Sequence, residues 1–164
     1  MAPITETIAP KILSSWIVNY IDRDSGESIT HLKLQKLLYY VEAWYLANFD
    51  RQLFPESPQA WTHGPVYKSV YDKYSGKGWD ALPKENSVSL PNQELAEYVL
   101  ACLDEYGQYS AKKLEKMTHE EDPWKVARGD LPLEARCQNK IDKLLTRNYY
   151  ASRIGKEKIK KILD

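Results

Sequence analysis

The sequence predicts a single, mainly α-helical domain, and two observations support that prediction. Apolar side chains recur at helical spacing along most of the 164 residues, and a capping residue or a proline precedes several of these stretches. Strand-like alternation of polar and apolar residues is confined to residues 87–90. We therefore expect a compact multi-helix domain with at most a small β-hairpin between the third and fourth helices.

The first two helices are the most clearly marked. The first covers residues 10–21, and Pro10 fits its first turn because a backbone N–H there has no partner within the helix. Residues 22–28 are predicted to be a loop. The second follows Thr30, a capping residue, and runs to about Asn48. Its wide apolar stripe predicts the central, most buried helix of the domain, with Leu34, Leu37, Leu38, Val41, Trp44 and Tyr45 facing inward.

The middle of the chain is less regular. Pro55 and Pro58 prevent a helix over residues 50–64, and Pro65 is expected to start the third helix. Residues 87–90 could form a short strand that pairs with residues 59–61. The fourth helix is predicted for residues 92–106 and the fifth after Ser110.

The last third contains two further predicted helices and a tail. Asp122 is expected to cap a short helix that ends at Gly129, and the next helix covers residues 139–150. Three apolar residues of that helix, Ile141, Leu144 and Leu145, are predicted to point inward. Residues 151–164 are predicted to be a basic C-terminal helix or tail. The whole chain, 1–164, is predicted to be one domain with a core at about 11–150.

Composition limits the classes of function. Lys plus Arg and Asp plus Glu each number 23, and the resulting zero net charge argues against a dedicated nucleic-acid binder. Cys102 and Cys137 have no metal-type spacing and are expected to be reduced core residues. The sequence shows neither a signal peptide nor an apolar run of membrane-spanning length, so we expect a cytoplasmic protein without membrane contact.

Metal, cofactor and catalytic sites are not expected. His31, His63 and His119 lack ligands at neighbouring helical positions, so structural roles are favoured over zinc binding. Residues 119–122 (HEED) are the densest acid–base cluster, but they precede a proline at a predicted helix start. Carboxylates at that place are expected to cap the helix rather than to catalyse a reaction.

The polar margin of the second helix is the main candidate for a binding surface. It consists of Gln35, Lys36, Tyr39 and Tyr40. Lys36 is either an interface anchor or a lysine whose stem lies along the edge of the core, and the residues alone favour the second interpretation. The connector is short, so the margin is expected to lie near Trp61, and a lysine, a tyrosine and a tryptophan would then surround one groove.

Three sequence blocks resemble one known family. Residues 32–40 (LKLQKLLYY), 60–66 (AWTHGPV) and 118–124 (THEEDPW), followed by Ala127 and Arg128, are similar to the Panacea domain family. That family includes SocA-like antitoxins and phage-associated GepA-type proteins. The resemblance extends over about residues 11–150.

The resemblance implies an antitoxin that neutralises a cognate toxin protein by direct binding, with no enzymatic site. It also implies a proteolytic adaptor role, in which the toxin is delivered to a ClpXP-type protease. The expected partner-binding residues are Gln35, Lys36, Tyr39, Tyr40, Trp61 and His63. A DNA-associated regulator of a phage or operon is the alternative, and a hydrolase using His119 is a third class that lacks a nucleophile.

Overall fold

The computed structural model of the protein describes residues 2–21, 25–26 and 28–154. This part of the chain contains seven helices and one hairpin, which confirms the predicted mainly α class. The elements are α1 (Pro10–Tyr20), α2 (His31–Phe49), β1 (Gln59–Trp61), β2 (Gly64–Val66), α3 (Lys68–Tyr74), α4 (Gln93–Tyr106), α5 (Ala111–Glu120), α6 (Asp122–Arg128) and α7 (Lys143–Ala151). The predicted tail from Gly155 and most of the predicted loop at 22–28 lie outside the described residues.

Helix α2 is the centre of the fold, as its stripe predicted. The Thr30 side chain accepts a hydrogen bond from the backbone N–H of Lys33 at 3.3 Å, which satisfies one of the free donors at the helix start. All residues from 34 to 46 are buried, because α1, α3, α4, α5, α7 and β2 pack around the helix. The helix ends at Asp50, whose left-handed backbone directs its N–H to the carbonyl of Leu46.

The core is rich in aromatic rings whose polar atoms have partners. Trp44 is fully buried, and its indole N–H donates to the Tyr106 hydroxyl at 2.7 Å. Tyr40 stacks on Tyr106 with 4.1 Å between ring centroids. Tyr98 donates its hydroxyl to the carbonyl of Val41 at 2.6 Å. Burial of these large side chains is therefore not opposed by unsatisfied hydroxyl or indole groups.

The hairpin lies between α2 and α3, not between the third and fourth helices as predicted. Strands β1 and β2 pair antiparallel with Trp61 opposite Gly64, and the pairing of residues 59–61 with 87–90 was wrong. Pro65 belongs to β2 and does not start a helix. It is tolerated there because Ala60, its opposite residue, directs its N–H outward to the carbonyl of Asn139 at 2.9 Å.

Two predictions about the last helix were also wrong. The helix begins only after Asp142, whose carboxylate accepts from the backbone N–H groups of Leu144 and Leu145. Leu144 was expected inside but is 64% exposed. Ile141 is buried as predicted, although it precedes the helix and donates its N–H to the Pro58 carbonyl. This extended segment binds the outer edge of the connector, which a helix could not do.

Helices α1, α4 and α5 match their predictions closely. Helix α1 starts at Pro10, and the side chains of Asn92 and Ser110 cap α4 and α5. Cys102 and Cys137 are free and buried, and burial raises the pKa of the Cys102 thiol to about 12. Among the described residues, every helix is too short or too polar to cross a membrane.

Candidate partner-binding site

The hairpin and helices α5 and α6 form one joined unit. The Trp124 indole N–H donates to the Trp61 carbonyl at 2.9 Å, and the Arg128 guanidinium donates to the Ala60 carbonyl at 3.0 Å. His119 stacks on Trp124 with 4.0 Å between ring centroids and 14° between planes. Two of the sequence blocks that carry the family resemblance, 60–66 and 118–124, therefore meet in space. Their residues hold the hairpin onto the helices.

Arg128 also fixes the loop that follows α6. It is only 4% exposed, and it donates to the carbonyls of Pro132 (2.8 Å), Leu133 (3.2 Å) and Ala135 (2.8 Å). The guanidinium carbon lies 4.9 Å from the centre of the Trp124 ring. Oriented carbonyls and an aromatic face thus stabilise this buried cation. The arginine links β1, α6 and the loop.

Lys36 lies beneath the hairpin, not at a surface. It is 1% exposed, and its Nζ donates to the carbonyl of Pro65 at 3.4 Å. Burial lowers the pKa of Lys36 to about 8, and the negative charge of Glu115 opposes that change. Gly64 allows this approach, because a Cβ atom at that position would lie 2.5 Å from Cε of Lys36. The lysine therefore supports the hairpin from inside.

Gln35 has a similar structural role. Its Oε1 accepts from the backbone N–H of Tyr67 at 2.9 Å, and its Nε2 donates to the Tyr67 carbonyl at 3.3 Å. The amide thus replaces a backbone partner at the residue that precedes α3. With 2% of its surface exposed, Gln35 joins α2 to the end of the hairpin.

Tyr39 and Tyr40 form a buried cluster around Glu121. The Glu121 carboxylate accepts from the hydroxyls of Tyr40 and Tyr150, each at 2.7 Å, and the Tyr150 hydroxyl lies 3.5 Å from that of Tyr39. Burial is the largest cause that raises the pKa of both Tyr39 and Tyr40, and the negative charge of Glu121 is the second. Asp122 was predicted to cap α6, but it is the first residue of that helix, and Glu121 occupies the N-cap position without a side-chain cap bond. The predicted capping by these carboxylates was therefore wrong.

His63 and Trp61 lie at the surface of the unit. The His63 side chain is 60% exposed, and its Nδ1 lies 3.1 Å from the Glu115 carboxylate, which Lys112 also approaches at 3.6 Å. Burial raises the pKa of Glu115, but the hydrogen bond and charge of His63 together with the charges of Lys112 and His119 outweigh it, so the pKa is lowered. The Trp61 ring is partly exposed and packs 4.7 Å from that of Tyr71.

The structure brings the predicted residues together but not as an open groove. Gln35 and Lys36 lie next to the hairpin, as the short connector indicated, yet the hairpin covers them. An exposed polar margin on α2 was therefore a wrong prediction for Gln35, Lys36, Tyr39 and Tyr40, none of which exceeds 2% exposure. Partner binding by Trp61 and His63 stays a prediction.

The sequence analysis missed one exposed feature of this unit. Leu131 and Leu133 are 43% and 65% exposed in the loop that Arg128 holds, and Val126 on α6 is 61% exposed. We name residues 130–134 (DLPLE) the leucine loop. The sequence signal for this exposed loop was a pair of leucines on either side of a proline, outside any helical or strand-like pattern.

The arrangement defines a class of protein: a helical scaffold whose buried charged groups serve to position a surface. Lys36 and Arg128 donate to backbone carbonyls, Glu115 contacts His63, and none is directed at an enclosed cavity by the contacts described above. Such a construction suits binding, because the framework fixes exposed side chains before a partner arrives.

Comparison with known proteins gives the family. The family described as "Antitoxin SocA-like, Panacea domain" matches residues 34–125, and the chain belongs to it. Among curated proteins it is similar to "Antitoxin SocA" of Caulobacter vibrioides (strain NA1000 / CB15N), with 31% identity over 111 residues. The match covers 60% of this chain and 59% of that relative's length. No solved structure matches the chain.

Proposed function

We propose that the protein is an antitoxin that neutralises a cognate toxin by direct protein–protein binding. Family membership supports the antitoxin role. The observation that carries the binding mode is the hairpin unit, in which Lys36, Arg128 and Glu115 are held by internal contacts. His63 is exposed and Trp61 is partly exposed, and a rigid aromatic ring beside a polar group is typical of an interface anchor.

The test is co-expression with the protein encoded by the adjacent reading frame. We expect that protein to inhibit growth alone, and the wild-type chain to restore growth and to co-purify with it. Trp61→Ala should weaken the complex by at least about tenfold, as loss of an aromatic anchor does. Trp79→Ala is the matched control, because Trp79 is 69% exposed in the segment between α3 and α4.

Two results would contradict the proposal at different points. A wild-type chain that neither binds the neighbouring protein nor restores growth would refute the antitoxin role. Full binding by Trp61→Ala, with an unchanged melting temperature, would show only that Trp61 lies outside the interface.

A proteolytic adaptor role is the finer form of this proposal. It rests on the family resemblance described above and goes beyond the antitoxin role itself. If the chain delivers its toxin to a ClpXP-type protease, the half-life of the toxin in cells should shorten when the chain is co-expressed, and only when the protease is present. An unchanged half-life together with restored growth would indicate neutralisation by masking alone.

A further inference from the structure

The leucine loop presents apolar side chains that the fold does not use. Leu131 and Leu133 expose 43% and 65% of their surface, and Val126 exposes 61% on the helix that leads into the loop. Single exposed apolar residues are ordinary on protein surfaces. Three within eight residues of one another, on one helix and its loop, are an accumulation typical of an interaction site.

The loop is held in one conformation by the rest of the unit. Arg128 donates to the carbonyls of Pro132, Leu133 and Ala135. The hydroxyl of Thr62 also donates to the carbonyl of Ala135, at 3.2 Å. Pro132 restricts the backbone between the two leucines. A partner would therefore meet an ordered loop, and little conformational entropy would be lost on binding.

The charge of the loop indicates the chemistry of its partner. Asp130 and Glu134 flank the leucines, and both are exposed. Neither takes part in a salt bridge among the residues that the structure describes, whose ion pairs lie elsewhere. The loop thus combines two apolar side chains with two carboxylates that are open to solvent. A complementary surface is apolar at its centre and basic at its edge.

We propose that the leucine loop is a docking surface for the toxin, and that it takes an apolar segment of the toxin flanked by Lys or Arg. This inference rests on the proposed antitoxin function and names the surface that performs it. Thr62 joins the loop to the hairpin turn, so Trp61, His63 and the loop belong to one rigid unit. The leucines supply the buried centre of the interface, and the carboxylates supply its rim.

The experiment measures binding of the purified wild-type chain and its variants to the protein from the adjacent reading frame. We expect the double variant Leu131→Ser, Leu133→Ser to lose at least about tenfold in affinity, as an interface centre does on truncation. Leu144→Ser is the matched control, because Leu144 on α7 is 64% exposed and lies on another element. We expect its affinity to stay within about twofold of wild type, as for a residue outside the interface.

A second pair of substitutions tests the loop without removing the leucines. Asp130→Lys with Glu134→Lys should slow association and weaken the complex, and the loss should diminish at high salt because exposed charges are screened. This pair decides the question if the serine variant has a lowered melting temperature.

Each contrary outcome has a distinct meaning. A wild-type chain that does not bind overturns the antitoxin proposal and this inference with it. If wild type binds and both loop variants bind equally well, the leucine loop is not the docking surface and the antitoxin role stands. If wild type dimerises in sedimentation and the serine variant does not, the loop is covered by a second copy of the chain and the inference is wrong.

Discussion

Gly64 is the residue that lets the hairpin lie directly on the buried Lys36. Its φ of +107° belongs to a region that favours glycine, and an added Cβ would lie 2.5 Å from the Cε of Lys36 and 3.0 Å from the Thr118 hydroxyl. Gly76 has a similar φ of +90°, but a Cβ added there would meet no atom within 4 Å. Substitution of Gly76 therefore adds backbone strain alone, whereas substitution of Gly64 adds backbone strain and a steric clash.

We predict that Gly64→Ala destabilises the protein by about 2–4 kcal/mol, the sum of backbone strain and overpacking. Gly76→Ala should cost about 1 kcal/mol, because only the backbone term applies. Urea denaturation of both variants measures the difference. Equal losses would mean that the Lys36 side chain moves aside at no cost.

On α2, burial was predictable for the apolar residues and not for Lys36. The stripe of α2 predicted the interior position of Trp44, because helical spacing alone puts it on the apolar face. The complete burial of Lys36 depends on residues 60–66, which fold over it from the next element. The spacing of residues along the sequence does not show that residues 60–66 cover Lys36.

At the scale of elements, a buried carboxylate joins α7 and the connector to α2. Glu42, 2% exposed, accepts from the backbone N–H groups of Leu53 (3.1 Å) and Phe54 (2.9 Å) and from the Tyr67 hydroxyl (2.9 Å). Lys143, the first residue of α7, donates to it at 2.9 Å. Burial raises the pKa of Glu42, and the charge of Lys143 opposes this.

We predict that Lys143→Met destabilises the protein by about 3 kcal/mol near neutral pH, because it leaves a buried carboxylate without its cation. The loss should shrink as the pH falls through the raised pKa of Glu42, since a protonated carboxyl group needs no cation. Urea denaturation at several pH values measures this. Lys68→Met, which breaks the exposed pair with Asp72, is the control and should cost less than about 1 kcal/mol.

If the stability that Lys143→Met loses does not change with pH, this account is contradicted. It would show that the methylene chain of the lysine, and not its charge, stabilises the contact between α7 and α2.

The hairpin shows why one element was misplaced by sequence reasoning. Pro65 fits the first turn of a helix and an unpaired strand position equally well, so the local rule could not decide. The two-residue turn, Thr62 and His63, lacks the Asn-Gly or Asp-Gly signal of common hairpins. The decision came from contacts distant in sequence, Ala60 with Asn139 and with Arg128.

At the scale of the whole molecule, the buried His31 and the partly buried His119 link stability to pH. His31 is 7% exposed, and its Nε2 lies 3.0 Å from the Gln35 side-chain nitrogen. Burial, with a contribution from the charge of Lys36, lowers the pKa of His31 to about 4. Burial lowers the pKa of His119 as well. Both histidines are therefore neutral in the folded protein at pH values where the unfolded chain is protonated.

We predict that the free energy of unfolding falls as the pH is lowered from about 6.5 towards 4, because the unfolded chain then binds protons that the folded protein does not. Denaturation at a series of pH values should show a weaker dependence for His31→Gln. A stability that is constant or rises over this interval would refute the assignment.

The pairing of α2 with α7 has a consequence for synthesis on the ribosome. Trp44 and Tyr40 of α2 contact Tyr150 of α7, with ring centroids 5.3 Å and 6.2 Å apart, so the face of α2 is completed by a helix made much later. At about 5–20 residues per second, the nascent chain spends roughly 5–20 s between the end of α2 and the start of α7. During that time aromatic surface is open to chaperones and proteases. We therefore expect a chain terminated before α7 to be degraded faster than a chain that includes it, and pulse-chase labelling of the two measures this.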